Sequence, residues 1–420
     1  MVAFADNPMW RRRAEPVEIR PTTPDESEWF LRVLCAGFNL DLSTARRFFY
    51  DDPYYEVNQR WGLWVEERGG RVLVSVLTAI PLQIWVGAHA IPCYGIAGVA
   101  TLPEYRRRGY ASELLRGVVR ALYAEGAPLA ILQAFNHEFY RKLGWETVSV
   151  IAHARLEPKQ LPRYDSTAVR RATPADAPAV QALYAQTLVP RTGSLVRDER
   201  RWRYLFWNLP NLWVCDYEGQ LEGYLFYDFL DSGWTLRVRE LTGHTERAQR
   251  ALLGWIAANE ESVRHVEFQM PLEQLASLQL VGWSAPPTEP AQPLYTVQIV
   301  PNLMARPLHS ETLLRHLLEG LPTPEGFQPF NLRMRDSLLT ENGEPIGIAS
   351  AGGTLCVGAE LPIAPTLTLS PMTLALLVFG TLTVPDLHAR RLLSAPAELL
   401  PTLDALFPAR APCLTPIDFF

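Results

Sequence analysis

Apolar residues change their spacing along the chain, and each spacing predicts an element. Residues 17–38, "VEIRPTTPDESEWFLRVLCAGF", read as a short strand, a Thr-Pro-acid capping loop and an amphipathic helix. Residues 60–102, "RWGLWVEERGGRVLVSVLTAIPLQIWVGAHAIPCYGIAGVATL", are rich in β-branched and aromatic residues, with turn signals at Gly69-Gly70 and Gly87. That predicts an antiparallel meander. In "ASELLRGVVRAL", residues Ala111, Leu114, Leu115, Val118, Val119 and Leu122 fall on one helical stripe. "PLAILQAF" follows as a buried strand, and then "NHEFYRKLGWETV".

After the linker-like "EPKQLPRYDST" the order starts again. "VRRATPADAPAVQALYAQTL" repeats the short strand, the Thr-Pro-acid loop and the helix. "LWVCDYEGQLEGYLFYDFL" predicts two strands about a Glu-Gly turn, and residues 238–270 repeat strand, loop, helix and strand. "LQLVGW" echoes "RKLGW". Residues 166–300 therefore read as a degenerate copy of the first segment. Its loop "TGHTERAQ" lacks the Arg-x-x-Gly-x-Ala pattern found at 106–111, so it is not expected to bind the same ligand. Beyond the Pro-rich "SAPPTEPAQP" the pattern changes. A hairpin turning at Glu341-Asn342-Gly343 is expected, then a helix capped by Ser370 with Pro371 in its first turn, and a last helix in "APAELLPTLDALFPA". The reading is a mixed α/β, α+β chain with domains at 1–158, 159–301 and 302–420.

Composition narrows the function class. A 420-residue chain exceeds one ordinary core, so two or three domains are expected. A net charge of −6 weighs against nucleic-acid binding, which calls for a basic surplus. Cys35, Cys93, Cys215, Cys356 and Cys413 form no CxxC, which fits a reducing cytoplasm and argues against structural zinc. No apolar run reaches transmembrane length, and "MVAFADNPMWRRRAEP" lacks the apolar stretch of a signal peptide. A cytoplasmic protein with no membrane partner and no metal is the expectation.

The chemistry concentrates at "LPEYRRRGYASELLRG". Arg106, Arg107, Arg108, Gly109, Tyr110 and Ala111 stand between a strand and a helix. A helix start offers unpaired N–H groups and partial positive charge, and a side chain at Gly109 would obstruct an approaching phosphate. The alternative is a solvated basic helix start. The central strand "CYGIAGVATL" holds no acid, so a base for deprotonating an amine must come from elsewhere. His137 is one option, or simply a loop histidine. Phe38, Asp41, Phe48, Phe49, Asp51 and Asp52 combine aromatic and acidic character suited to an organic polyamine.

The Arg-x-x-Gly-x-Ala loop and "FYRKLGW" resemble the GCN5-related N-acetyltransferase (GNAT) superfamily. The resemblance implies that this loop holds the acetyl-CoA pyrophosphate, with backbone contacts from Val99, Ala100 and Thr101 and a further contact at Asn136. It implies that Tyr140 donates a proton to the leaving thiolate; otherwise Tyr140 only packs its corner. Nearly the whole chain resembles the Eis (enhanced intracellular survival) family, in which two GNAT domains, the second degenerate, precede a sterol-carrier-protein-like domain. Members acetylate amines, notably aminoglycosides, and assemble as hexamers. Their C-terminal carboxylate is taken as the base, which here is that of Phe420. The chain ends in "PIDFF", so Asp418 would add a second negative group for the substrate; the bland alternative is that "IDFF" packs on the third domain. That domain would serve assembly and deliver the C-terminus rather than bind lipid. The sequence departs from the family at "AFNHEFY", where a small Ser-Glu-Gly-type run is usual. The expected function is acetyl-CoA-dependent transfer to an aminoglycoside-like, polyamine or lysine amine by direct attack. The alternatives are a protein-lysine acetyltransferase or a catalytically silent CoA-binding scaffold.

Overall fold

Two Thr-Pro turns, at Thr23 and Thr173, close in the same way. The threonine N–H donates to the acid three residues on, at 2.9 Å to Glu26 and 2.7 Å to Asp176, as in a capping box. An arginine six residues before each acid grips it with two bonds. Arg20 donates to Glu26 at 2.8 and 2.7 Å, and Arg170 to Asp176 at 2.9 and 2.8 Å. The repeat seen in the hydrophobic pattern thus extends to matching side chains.

The structure, a computed structural model, describes residues 17–50, 54, 56–67, 69–187, 191–208, 211–276 and 296–420. "MVAFADNPMWRRRAEP", "LQLVGW", "SAPPTEPAQP", Asp51 and Asp52 lie outside them. The chain divides into two units: residues 1–81 with 95–125, and residues 82–94 with 126–420.

In the first unit β1 (Val17–Pro21), β2 (Arg60–Glu67), β3 (Gly70–Val86) and β4 (His89–Thr101) lie in that order. β1–β2 and β2–β3 are antiparallel, as the meander pattern predicts. β3 leaves the unit after Pro81 and β4 re-enters it at Gly95. Three helices accompany the strands: α1 (Ser27–Phe38), α2 (Leu42–Phe49) and α3 (Tyr110–Ala124). Phe30, Leu31, Val33 and Leu34 of α1 bury against Trp64, Leu73, Val76 and Ala100. Leu114, Leu115, Val118, Val119 and Leu122 of the expected α3 stripe are buried.

The second unit begins its own run of elements with β5 (Leu129–Leu132), α4 (His137–Arg141), β6 (Glu146–Leu156) and β7 (Val169–Arg171). There follow α5 (Ala177–Thr187), α6 (Glu199–Asn208), β8 (Leu212–Tyr217), β9 (Gln220–Leu230), β10 (Thr235–Gly243), α7 (Glu246–Ala257), β11 (His265–Met270) and β12 (Thr296–Pro307). Its strands run β5-β12-β6-β11-β10-β9-β8-β7. β12 inserts between β5 and β6, with Ala305 opposite Ile131 on one side and Glu146 on the other. The chain then forms α8 (Ser310–Leu318), β13 (Phe330–Met334), β14 (Ile346–Ala351), β15 (Thr354–Gly358), β16 (Thr366–Leu369) and α9 (Pro371–Phe379). A second sheet has the order β15-β14-β13-β16. Ser370 caps α9 as expected, accepting from the Thr373 N–H at 3.1 Å. The hairpin expected at Glu341-Asn342-Gly343 is different. β13 and β14 do pair antiparallel, but residues 335–345 join them, and Asn342 is buried inside that connection. Its amide donates to the Leu308 carbonyl at 2.5 Å and accepts from the Ser310 N–H at 3.2 Å. Residues Thr340–Gly343 still turn, as a short 3-10 helix inside that connection, and the buried Asn342 amide bonds the turn to the residues that enter α8.

The chain's last residues are bound to the second unit by charge. The Arg197 guanidinium, fully enclosed, donates to Asp418 at 2.9, 3.1 and 2.8 Å and to Glu240 at 3.0 and 2.5 Å. Arg201 donates to the Ile417 carbonyl at 2.5 Å, and Arg239 to that of Pro416. The Leu414 N–H donates to Asn302 Oδ1 at 2.9 Å. Removing one partner of such a set strands the others. Arg197→Met is expected to lower the opening free energy of amides 414–418 by about 3–5 kcal/mol, read by hydrogen exchange. Arg32→Met, which breaks an exposed pair with Glu28, should change stability by less than about 0.5 kcal/mol.

Candidate functional site

Gly109 is the N-cap of α3 with φ +89°, and among the described residues no side chain caps this helix. Arg107, two positions earlier, is also left-handed at φ +60°. That region costs a residue bearing Cβ about 1–2 kcal/mol; glycine avoids the cost and Arg107 bears it. Apart from its chain neighbours and the adjacent backbone, no atom of the described residues lies within 4 Å of where a Gly109 Cβ would stand, so the space before the helix is open. The first-turn N–H groups need partners and the helix end is partly positive. The open helix start is therefore suited to an anion.

The three arginines of this loop are exposed but serve different ends. Arg106 donates to the Gly37 carbonyl at 2.9 Å and to the Thr101 carbonyl at 3.3 Å, tying the last turn of α1 to the end of β4. Arg108 donates to the Glu104 carbonyl at 3.1 Å, its guanidinium 5.1 Å from the Tyr105 ring centre. Tyr110 is buried and Ala111 half-buried. On β4, Val99 and Thr101 are half-buried and Ala100 is buried. The Ala100 carbonyl and the Thr101 hydroxyl are already bonded to Ser75 Oγ, at 3.0 and 2.9 Å. Gly98, left-handed at φ +59°, lies within β4 just before Val99.

In the second unit Tyr140 lies on α4, whose first turn Asn136 caps by accepting from the Phe139 N–H at 3.1 Å. Tyr140 is 2% exposed, and its ring meets those of Phe135, Phe139 and Trp145 edge-on, at 5.6, 5.0 and 6.2 Å. Burial pushes its phenol well above the ordinary tyrosine range, so the hydroxyl stays protonated. His137 Nδ1 is 2.8 Å from Thr147 Oγ1, and burial, then Arg141, holds its pKa below the usual value. Phe420 is half-buried against the apolar cluster that includes Leu129 and Ile131 of β5. Asp418 corrects an expectation. Its carboxylate has no exposure and is taken up by Arg197, so it anchors the tail instead of facing a polycation.

Family models for an acetyltransferase (GNAT) domain match residues 18–148 and 193–304, and one for a sterol carrier protein domain matches 314–415. The chain belongs to the GNAT acetyltransferases. It is similar to a Streptomyces griseus protein described as an uncharacterized N-acetyltransferase, at 22% identity over 300 residues, covering 61% of this chain and 69% of that one. In fold it matches a GCN5-related N-acetyltransferase from Anabaena variabilis, with TM-score 0.79, 19% identity, and coverage of 96% of this chain and 100% of the other. Eis1 from Mycobacterium abscessus matches with TM-score 0.69, 20% identity and the same coverage. The domain order and the mixed α/β fold expected from the Eis resemblance are borne out.

The first GNAT domain of this acetyltransferase gathers some of its expected substrate residues and separates others. Phe38, 44% exposed, and Phe49 stand 6.0 Å apart. The Phe49 ring lies 3.1 Å from where a Gly98 Cβ would be. Asp41 instead caps α2, accepting from Ser43 Oγ at 2.5 Å, Thr44 Oγ1 at 2.6 Å and the Thr44 N–H at 2.9 Å. Those bonds hold its carboxyl below the usual range. The Phe48 side chain lies outside the described residues. Gly98 and Gly37 escaped the sequence reading. A glycine inside a strand pattern was the available signal for Gly98. Gly37, whose Cβ would stand 2.6 Å from Ala100 Cβ, looks like any other helical glycine.

The second GNAT domain closes the equivalent helix start on itself. Thr245 caps α7, and Glu222 accepts from Thr245 Oγ1 at 2.6 Å and from Arg247 Nε at 2.7 Å. A carboxylate there repels an anion. Gly109→Ala is expected to lower folding stability by about 1–2 kcal/mol of left-handed strain and, to the extent that the free loop relaxes out of that region, to weaken acetyl-CoA binding by up to about tenfold, read by titration calorimetry. Glu222→Gln should leave that affinity unchanged.

Proposed function

We propose that this acetyltransferase moves the acetyl group of acetyl-CoA onto a primary amine of an aminoglycoside-like, polyamine or lysine acceptor, directly and without an acyl-enzyme. The observation that carries the reading is the open left-handed cradle of Arg107 and Gly109 at the start of α3. Arg106, Arg108, Tyr110 and Ala111 frame it, and it would hold the pyrophosphate. Val99, Ala100, Thr101 and Asn136 are the remaining contacts in this reading. Bound acetyl-CoA supplies an activated thioester.

The chain's own groups then manage protons and orientation. The Phe420 carboxylate takes the proton of the acceptor ammonium, freeing a nitrogen lone pair. The Val99 N–H faces the carbonyl oxygen as charge gathers there. Tyr140 gives its proton to the sulfur as the C–S bond breaks and the C–N bond forms. A phenol kept neutral by burial supports that role. Phe38 and Phe49 offer ring faces to an organic cation.

The test is thiol release from acetyl-CoA with a panel of aminoglycosides, simple polyamines and a lysine peptide. Release with at least one amine is expected. Tyr140→Phe should lower kcat about 100-fold or more with acetyl-CoA affinity retained, and one residue added after Phe420 should abolish turnover. Release that persists in both variants overturns the assigned acid and base.

Burial also sets the alkaline limb. The folded pKa of Tyr140 is raised, so its protonated form persists beyond the pH at which a free tyrosine ionises. The kcat of the wild type should therefore show no loss across pH 9–10.5, a range centred near the ordinary value of about 10.

A further inference from the structure

The corner that carries Tyr140 is braced from a part of the chain more than 150 residues away. Gly144 closes that corner with φ +88°. The Leu143 and Trp145 N–H groups donate to the Tyr140 carbonyl at 2.9 and 3.2 Å, and the Gly144 N–H donates to the Arg141 carbonyl at 2.9 Å. Against this turn lies the guanidinium of Arg306, on β12, with no exposed surface. A Cβ on Gly144 would stand 1.7 Å from Arg306 Nη1, so the turn and the guanidinium are in direct contact. The same guanidinium lies 5.6 Å from the centre of the buried Trp145 ring, and that ring meets Tyr140 edge-on.

Arg306 is itself oriented by the sterol carrier protein domain. Its Nη2 donates to Asp336 Oδ2 at 2.6 Å. The other carboxylate oxygen, Oδ1, accepts from the Leu338 N–H at 2.9 Å, and Asp336 is buried. Stability alone does not call for such a pair, because apolar residues of equal volume often serve as well. A guanidinium is planar and forked, so a carboxylate can fix its orientation in a way that no lysine ammonium allows.

We propose that Arg306 and Asp336 are positioning residues for Tyr140: the pair presses the Gly144–Trp145 turn into the one arrangement that aims the phenol. The inference rests on the reading of Tyr140 as proton donor. It gives the third domain a part in catalysis separate from carrying the chain's end. Proton donation depends steeply on placement, and a displacement of about 1 Å far from the chemistry can cost 100-fold in rate.

The test is a double-mutant cycle on the full chain with an acceptor identified by thiol release. Asp336→Asn and Arg306→Lys should each lower kcat about tenfold, with KM for acetyl-CoA and for the amine within about twofold of wild type. In a Tyr140→Phe background neither should cause a further loss, since the group being aimed is gone. Equal losses in both backgrounds, or an unchanged kcat in the single variants, overturn the inference. If one variant does not fold, the other carries the comparison. Loss in Tyr140→Phe with none in Asp336→Asn or Arg306→Lys removes this inference alone. No loss in Tyr140→Phe removes the donor assignment, and this inference with it.

Discussion

The Arg197 side chain has no contact with water, and a charge in that position must be met in full. Asp418 and Glu240 meet it, and Tyr224 donates to Glu240 at 2.8 Å. This requirement reaches across the chain, since residues 197, 240 and 418 come from three separate segments. It leaves the tail no alternative path, because withdrawing Asp418 would leave a buried guanidinium short of a counter-charge. Asp418 stands two residues before Phe420. The second GNAT domain, which lacks an open anion cradle, is thereby the support on which the chain's end is fastened.

The two copies show how a few residues separate an open helix start from one that the protein caps itself. Both begin with a Thr-Pro turn and an arginine–acid clasp. At α3 the chain spends glycine and a left-handed arginine, and the helix end stays open. At α7 it places Thr245, which accepts from the Ala248 N–H, and Glu222, which accepts from Thr245 Oγ1. The backbone donors are the same in kind; what differs is whether a side chain of the protein completes them.

Close approach is the second recurring constraint. Gly37 admits Ala100, Gly98 admits Phe49 and Gly144 admits Arg306. In each pair a side chain reaches backbone that a Cβ would have covered. The first two settle how α1 and α2 lie against β4. The third joins the Tyr140 corner to β12, the strand that inserts between β5 and β6.

Much of this was legible in the sequence, and for a local reason. Hydrophobic period, turn residues and caps depend on neighbours a few positions apart, so the meander, the α3 stripe, the Ser370 cap, the repeat and the Arg-x-x-Gly-x-Ala loop all declared themselves. What remained hidden depends on long-range encounters. Asn342 reads as a turn residue and is one, but nothing local shows that Leu308 and Ser310 take up its amide. Asp418 reads as a free carboxylate until Arg197 arrives from 221 positions away. Arg106 reads as a side chain free for a phosphate, and the fold also has it tie Gly37 to Thr101. The sequence determined which groups were present and which short segments they occupied. Only tertiary packing decided which charges were left for a ligand, because a buried charge must be neutralised wherever the fold places it.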